Sequence, residues 1–187
     1  MESFKRECPG LFAKLTRTLD PCTLQQLSQD YQQAGAAGGN LEVGIVREQG
    51  VSFNPRIARI VSIVLQDGGV LQDGGCNEPI TLRAAIYATI PVMPDILGDG
   101  DGAIKGLINE LRKDLVDATM DDRARILALA IELDRIRHLH MSDLSLAEKR
   151  EVLECAARLA EYGAQAVLSA KLSKKLAHGV SMQRNRI

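Results

Sequence analysis

Between Asn54 and Leu65 the apolar residues fall at Ile57, Ile60, Val61, Val64 and Leu65, the i, i+3, i+4, i+7, i+8 spacing of one helix face. That period recurs in nearly every patterned segment of the chain, and it restricts the fold more than any other feature. A stripe so spaced has to be buried against other helices. Leu11, Leu15 and Leu19 share a face over Pro9 to Leu19, and Leu24, Leu27, Tyr31 and Ala34 share one before Gly35. Ile104, Leu107, Ile108, Leu111 and Leu115 do so over Ala103 to Ala118, and Ile126, Leu127, Ala130, Leu133 and Ile136 over Asp121 to His140. Asn77 to Ile90 is apolar on most sides, which marks a central, buried helix. Leu41 to Gln49 is ambiguous between a short strand and irregular chain. The expectation is an all-α bundle of about seven or eight helices.

Punctuation residues set the boundaries. Thr23-Leu24-Gln25-Gln26 and Ser145-Leu146-Ala147-Glu148 are capping-box patterns that open helices. Gly35 to Gly39 reads as a flexible connector, and Pro91 and Pro94 end the central helix. The last helical stretch is expected from Leu144 to about Tyr162, interrupted at Gly163 and resumed from Ala164 to Ala177. Residues 179–187 then read as a frayed tail. Leu65-Gln66-Asp67-Gly68-Gly69 repeats at once as Leu71-Gln72-Asp73-Gly74-Gly75, a local duplication or a double turn rather than a solenoid.

A chain of 187 residues that is 45% hydrophobic can bury a sufficient core without a metal or a disulfide. One domain over residues 1–187 is the natural reading, with residues 1–40 as an N-terminal helical extension. The net charge of −1 gives no chain-wide attraction to nucleic acid or to an anionic membrane. No segment has the length of a signal peptide's apolar core or of a membrane span. Cys8, Cys22, Cys76 and Cys155 show no metal-binding spacing and read as reduced thiols, so a cytoplasmic protein is expected.

Three segments in order carry a family likeness. They are Arg47-Glu48-Gln49-Gly50-Val51-Ser52-Phe53-Asn54-Pro55-Arg56-Ile57-Ala58, then Ile80-Thr81-Leu82-Arg83-Ala84-Ala85-Ile86-Tyr87, then Ala128-Leu129-Ala130-Ile131-Glu132-Leu133-Asp134-Arg135-Ile136-Arg137-His138-Leu139. From Arg47 to about Tyr162 the chain resembles the HD-domain phosphohydrolases, most closely the (p)ppGpp hydrolase domain of the RelA/SpoT family. The resemblance implies an HD-like helical bundle holding a divalent metal through a His, a His-Asp pair and a distant Asp. It places the first His on Asn54, the His-Asp pair on Ala88 and Thr89, and the last Asp on Ile131. The Glu-Asp pair that serves hydrolysis falls on Val92 and Met93. None of the family's ligands is retained: Ala88, Val92, Met93 and Ile131 have no lone pair suited to a hard cation, and Asn54 and Thr89 are weak neutral ligands, so the implied metal site is substituted. A register shifted by three would bring Asp134 onto the last ligand position, but it needs a gap inside a helix.

The resemblance therefore implies a degenerate HD-like domain acting as a binding or regulatory module, with no cofactor. In its terms Arg47, with Arg56, Arg59 and Arg83, are candidate contacts to a phosphate or nucleotide ligand. Two other readings stand beside it. One is an active phosphohydrolase using manganese or another divalent metal on relocated ligands, drawn from Asp134, His138, His140, Asp95, Asp99 and Asp101. Asp134 and His138 are i, i+4 on one face, although a His at a helix C-terminus is also at home there as a cation. The other is a structural oligomerisation protein, for instance a homodimer. Asp99-Gly100-Asp101-Gly102 fails as a calcium loop, because the end positions would be Leu97 and Ile108; it reads as a turn capping the next helix. Lys171, Lys174, Lys175 and His178 form a basic face that reads as a solvated face with favourable charge near a helix end, or as a dock for an acidic partner; without interleaved aromatics, nucleic acid is an unlikely partner on stacking grounds.

Overall fold

A computed structural model describes residues 2–38, 53–67, 78–90, 97, 99–112, 120–165 and 169–187. Its helices are α1 (Glu2–Glu7), α2 (Pro9–Thr18), α3 (Pro21–Gly38), α4 (Phe53–Asp67), α5 (Glu78–Tyr87), α6 (Gly102–Leu111), α7 (Asp122–His138), α8 (Leu146–Gly163) and α9 (Ala170–Arg184). Short 3₁₀ turns occupy Asp99–Asp101 and Leu139–Met141. Among the described residues there is no strand, so the all-α expectation holds. No described helix is long and apolar enough to cross a membrane.

Helix α7 is the hub. It packs against α4, α5, α6, α8 and α9. Every residue from Ala124 to Ala130 is buried, so the two turns that follow Arg123 are enclosed on all sides. Arg125 lies in that run, and its guanidinium folds back to the Asp122 carboxylate at 2.7 Å and the Met120 carbonyl at 3.2 Å. It also lies 5.2 Å from the centre of the Tyr162 ring, which covers a buried cation with a π face. Helix α5 is the second buried element, touching α3, α4, α6 and α7. Thr81, Leu82, Ala84, Ala85, Ile86 and Tyr87 are all buried there, as the all-round apolar pattern requires. Fully burying a Leu or Ile side chain stabilises by about 1.5–3 kcal/mol, and Leu82, Leu127 and Leu129 are each completely enclosed.

Residues 1–38 are not a loose extension. Helix α3 packs on α4 and α5, and α1 and α2 pack on α3. Phe4, Leu15, Leu27 and Tyr31 belong to the same hydrophobic core as α7. The Phe4 ring lies 4.7 Å from that of Tyr31 and meets Phe12 edge-on at 6.0 Å.

Several boundaries differ from the sequence reading. The cap of α3 is Asp20, not Thr23. The Asp20 carboxylate accepts from the Cys22 and Thr23 amides, both at 3.0 Å, and the Thr23 hydroxyl donates to the same carboxylate at 2.6 Å. Asp20-Pro21 is the stronger start because Pro at the first helical position carries no orphan amide. Gly35 does not stop α3, which runs on to Gly38; glycine alone weakens a helix by only about 1 kcal/mol. The C-terminal residues are not frayed either. Helix α9 continues to Arg184, held by buried Val180 and Gln183, and Gly179 allows it to approach Ile136 of α7.

Other expectations hold locally. Ser145 and Glu148 form the reciprocal capping box, at 3.3 and 2.7 Å. Gly163 ends α8 where a Cβ would come within 2.8 Å of the buried Leu129 side chain. The segment Leu41 to Gln49, the second copy of the LQDGG pair, Cys76, Pro91, Pro94 and the end of the expected Ala103 to Ala118 helix lie outside the described residues.

Candidate functional site

The largest departure from ordinary core chemistry lies where α4 meets α7. One turn of α4 carries Arg56 and Arg59 toward Asp134, near the middle of α7. Arg59 grips the Asp134 carboxylate with both ends of its fork, Nε to Oδ1 at 2.7 Å and Nη2 to Oδ2 at 3.3 Å. Such bidentate pairs are the strong form of the charge-assisted hydrogen bond. Arg56 is only 3% exposed and stands 3.9 Å from Asp134 Oδ2. Its Nε has no hydrogen-bond partner. Burial pulls its guanidinium down to about 10, against the raising effect of Asp134.

Around this pair lie Glu132, Arg135 and His138. Glu132 and Arg135 approach to 3.8 Å, and Glu132 Oε1 and Arg135 Nε are buried without hydrogen-bond partners. His138 Nδ1 lies 2.8 Å from the Asp134 carbonyl oxygen and 3.5 Å from its carboxylate. Three arginines thus face two carboxylates, and burial raises the Glu132 carboxyl despite the nearby Arg135 and Arg56. The cluster holds one more arginine than carboxylates, leaves two arginine Nε donors and one carboxylate oxygen unsatisfied, and is open to solvent through Arg59, Arg135 and His138.

The raised Glu132 carboxyl has a consequence for stability. A group that holds its proton more tightly when folded contributes fully below its unfolded value, about 4.3, and loses that contribution as the pH rises through its folded value. Glu132→Gln, neutral at every pH, is expected to raise the unfolding midpoint at neutral pH. The advantage should shrink as the pH falls toward about 4. Thermal unfolding at both pH values checks this, and an advantage that grows in acid would contradict it.

Of the residues singled out in the sequence, Arg56, Arg59, Asp134 and His138 come together. Asp134 stands there as the counter-ion of two arginines. Arg83 does not join them. It lies in a second polar cluster, donating to Asp30 through Nε and Nη2 and to Asp101 through Nη1 at 2.9 Å. Asp101 therefore serves Arg83 and makes no side-chain cap for α6, contrary to the capping expectation. His140 lies on the 3₁₀ turn after α7, its Nδ1 3.4 Å from Gln183 Nε2.

The positions aligned with metal ligands sit on the mutually packed α4, α5 and α7 regions. Asn54 is in the first turn of α4. Ala88 and Thr89 form the turn at the end of α5, where the buried Thr89 hydroxyl donates to the Ile86 carbonyl at 3.3 Å. Ile131 packs against the core. Arg47, Val92, Met93 and Asp95 lie outside the described residues, as does the side chain of Asp99. Among the described residues no three His, Cys, Asp or Glu side chains converge as a metal-binding group.

Sequence reasoning missed Asp30, Glu132 and Arg135 as cluster members. Their only signal was a charge on the inward side of a helical stripe. Two lysines of the supposed free basic face are also engaged: Lys175 and Lys171 pair with Asp67 at 2.7 and 3.1 Å. Comparison of the chain with family models, with curated proteins and with solved structures returns no match.

Proposed function

We propose that this chain is a helical binding or regulatory module, an HD-like domain without the metal-dependent hydrolase centre, whose α4–α7 cluster receives a phosphate-bearing ligand. The observation that carries the reading is Arg56. A guanidinium that is 3% exposed, with an unpartnered Nε and one carboxylate at 3.9 Å, is under-satisfied for a purely structural ion pair. Arg59 and His138 at the rim would share the incoming anion. The positions that a metal would need hold Asn54, Ala88, Thr89 and Ile131, which offer no carboxylate and no imidazole, only an amide and the hydroxyl that donates to Ile86. Reduced thiols at Cys8, Cys22 and Cys155 fit a cytoplasmic setting.

The test has two parts. Elemental analysis of the purified protein is expected to find no stoichiometric metal, and a panel including guanosine tetraphosphate is expected to show no phosphate release with added manganese. Titration of the same nucleotides by calorimetry should show binding that weakens about tenfold or more in Arg59→Gln. Stoichiometric manganese or iron, or phosphate release abolished by His138→Ala, would instead establish the phosphohydrolase reading. Absence of binding to every phosphate ligand would leave the cluster a structural ion pair and overturn the proposal.

A further inference from the structure

A second basic region lies in a groove of about 530 Å³ between α7 and α9. It does not depend on the phosphate-ligand reading. Arg137, Lys174, His178 and Arg186 line it, together with Leu133 and the Met182 side chain. No carboxylate side chain lines the groove. Six arginines elsewhere are neutralised internally: Arg56 and Arg59 by Asp134, Arg83 by Asp30 and Asp101, Arg123 by Asp121, Arg125 by Asp122 and Arg135 by Glu132. Among the described residues the side chains of Arg137, Lys174, His178 and Arg186 meet no such partner. The neighbouring Lys175 is held by Asp67 and contributes little free charge.

This concentration is not a property of the whole chain, whose net charge is −1. It arises because no Asp or Glu occurs after Glu161 while α9 and the turn after it bring Lys174, His178 and Arg186 alongside Arg137. The groove is not purely polar. Met182 is 47% exposed, one of the few large apolar side chains left at the surface. Its unbranched thioether can pack against differently shaped apolar partners. A cationic rim around an apolar contact fits an acidic amphipathic helix, which would place carboxylates on the rim and an aliphatic side chain on Met182. A nucleic-acid strand fits less well, because no aromatic side chain lines the groove to stack a base.

We propose that the α7–α9 groove docks an acidic, amphipathic helical segment of a partner protein, with Arg137, Lys174, His178 and Arg186 as its charged rim and Met182 as its apolar anchor. The probe is a fluorescein-labelled peptide of about 16 residues, ~24 Å as a helix, with Glu on one face and Leu on the other. Its anisotropy is read against the full chain. Binding should weaken steeply with added salt. The double variant Arg137→Glu/Lys174→Glu should lower affinity about tenfold or more, and Met182→Ser about threefold. Arg150→Glu, the same charge change at an exposed site on α8, should leave affinity unchanged. All four positions are exposed, and matching circular-dichroism melts confirm that each variant folds. No binding of the peptide, or an equal loss in Arg150→Glu, overturns the proposal. So does an unchanged affinity in Met182→Ser. Equally tight binding of a single-stranded oligonucleotide of the same charge would reassign the groove to nucleic acid.

Discussion

Asp134→Ala is expected to lower the unfolding free energy by about 3–5 kcal/mol. Asp134 is 1% exposed and is the counter-ion of Arg59 at 2.7 Å and of the 3%-exposed Arg56 at 3.9 Å. Its removal leaves Arg56 as a buried cation whose nearest carboxylate is gone. Arg59 can turn to water because its side chain is 31% exposed, so the larger share of the cost falls on Arg56. The double variant Arg56→Met/Asp134→Leu should recover most of the loss, since a buried ion pair replaced by well-packed apolar groups is often neutral. Urea unfolding of the wild type, both single variants and the double variant checks this. A double variant as unstable as Asp134→Ala would show that the cost comes from packing at α7 and not from an orphaned charge.

Asp30→Ala carries the second large effect, about 3 kcal/mol. Asp30 is 1% exposed on α3 and accepts from Arg83, from the Tyr87 hydroxyl at 2.9 Å and from Gln26 Nε2 at 3.3 Å. It is the polar tie between the N-terminal helices and α5. Burial and the Asp30 carboxylate push the Tyr87 phenol well above its ordinary value, so Tyr87 stays a neutral donor to that carboxylate. Removing Asp30 leaves the Tyr87 hydroxyl only Gln33 Oε1 at 2.8 Å, and Arg83 only the half-buried Asp101. Asp101→Ala should cost under about 1 kcal/mol, because that pair is partly exposed to solvent screening. Hydrogen exchange should show α3 and α5 losing protection together in Asp30→Ala. Loss confined to α3 would mean that apolar packing through Leu27 and Tyr31, and not the Asp30 cluster, couples them.

Both effects lie where the sequence was hardest to read. Arg59 and Asp134 are 75 residues apart, and Arg83 and Asp30 are 53 apart. Periodicity assigns a face to each residue but does not say which charge on one helix meets which on another. The resemblance groups Arg56, Arg59 and Arg83 as contacts to one ligand, but α5 directs Arg83 to Asp30 while α4 directs the other two to Asp134. The i, i+4 relation of Asp134 to His138 marks it in the sequence as a candidate metal ligand. That relation is present at 3.5 Å, but the two arginines from α4 set the carboxylate's role.

Where the determinants were local, they were legible. Ser145 and Glu148 cap α8 because both donors and both acceptors lie within one turn. The stripe from Ile57 to Leu65 is buried at each of its five positions because the helical period alone decides which residues share a face. By itself, then, the sequence determined an all-helical chain, the inward face of most helices and the absence of apolar spans of membrane length. Only the tertiary structure decided which charges meet: Arg56 and Arg59 on Asp134, Arg83 on Asp30, Lys175 on Asp67, with Arg137, Lys174, His178 and Arg186 meeting no carboxylate among the described residues around one groove. The reason is range. Helix periodicity and capping act within a few residues, whereas an ion pair depends on which helices pack and at what rotation, and only the assembled core sets both.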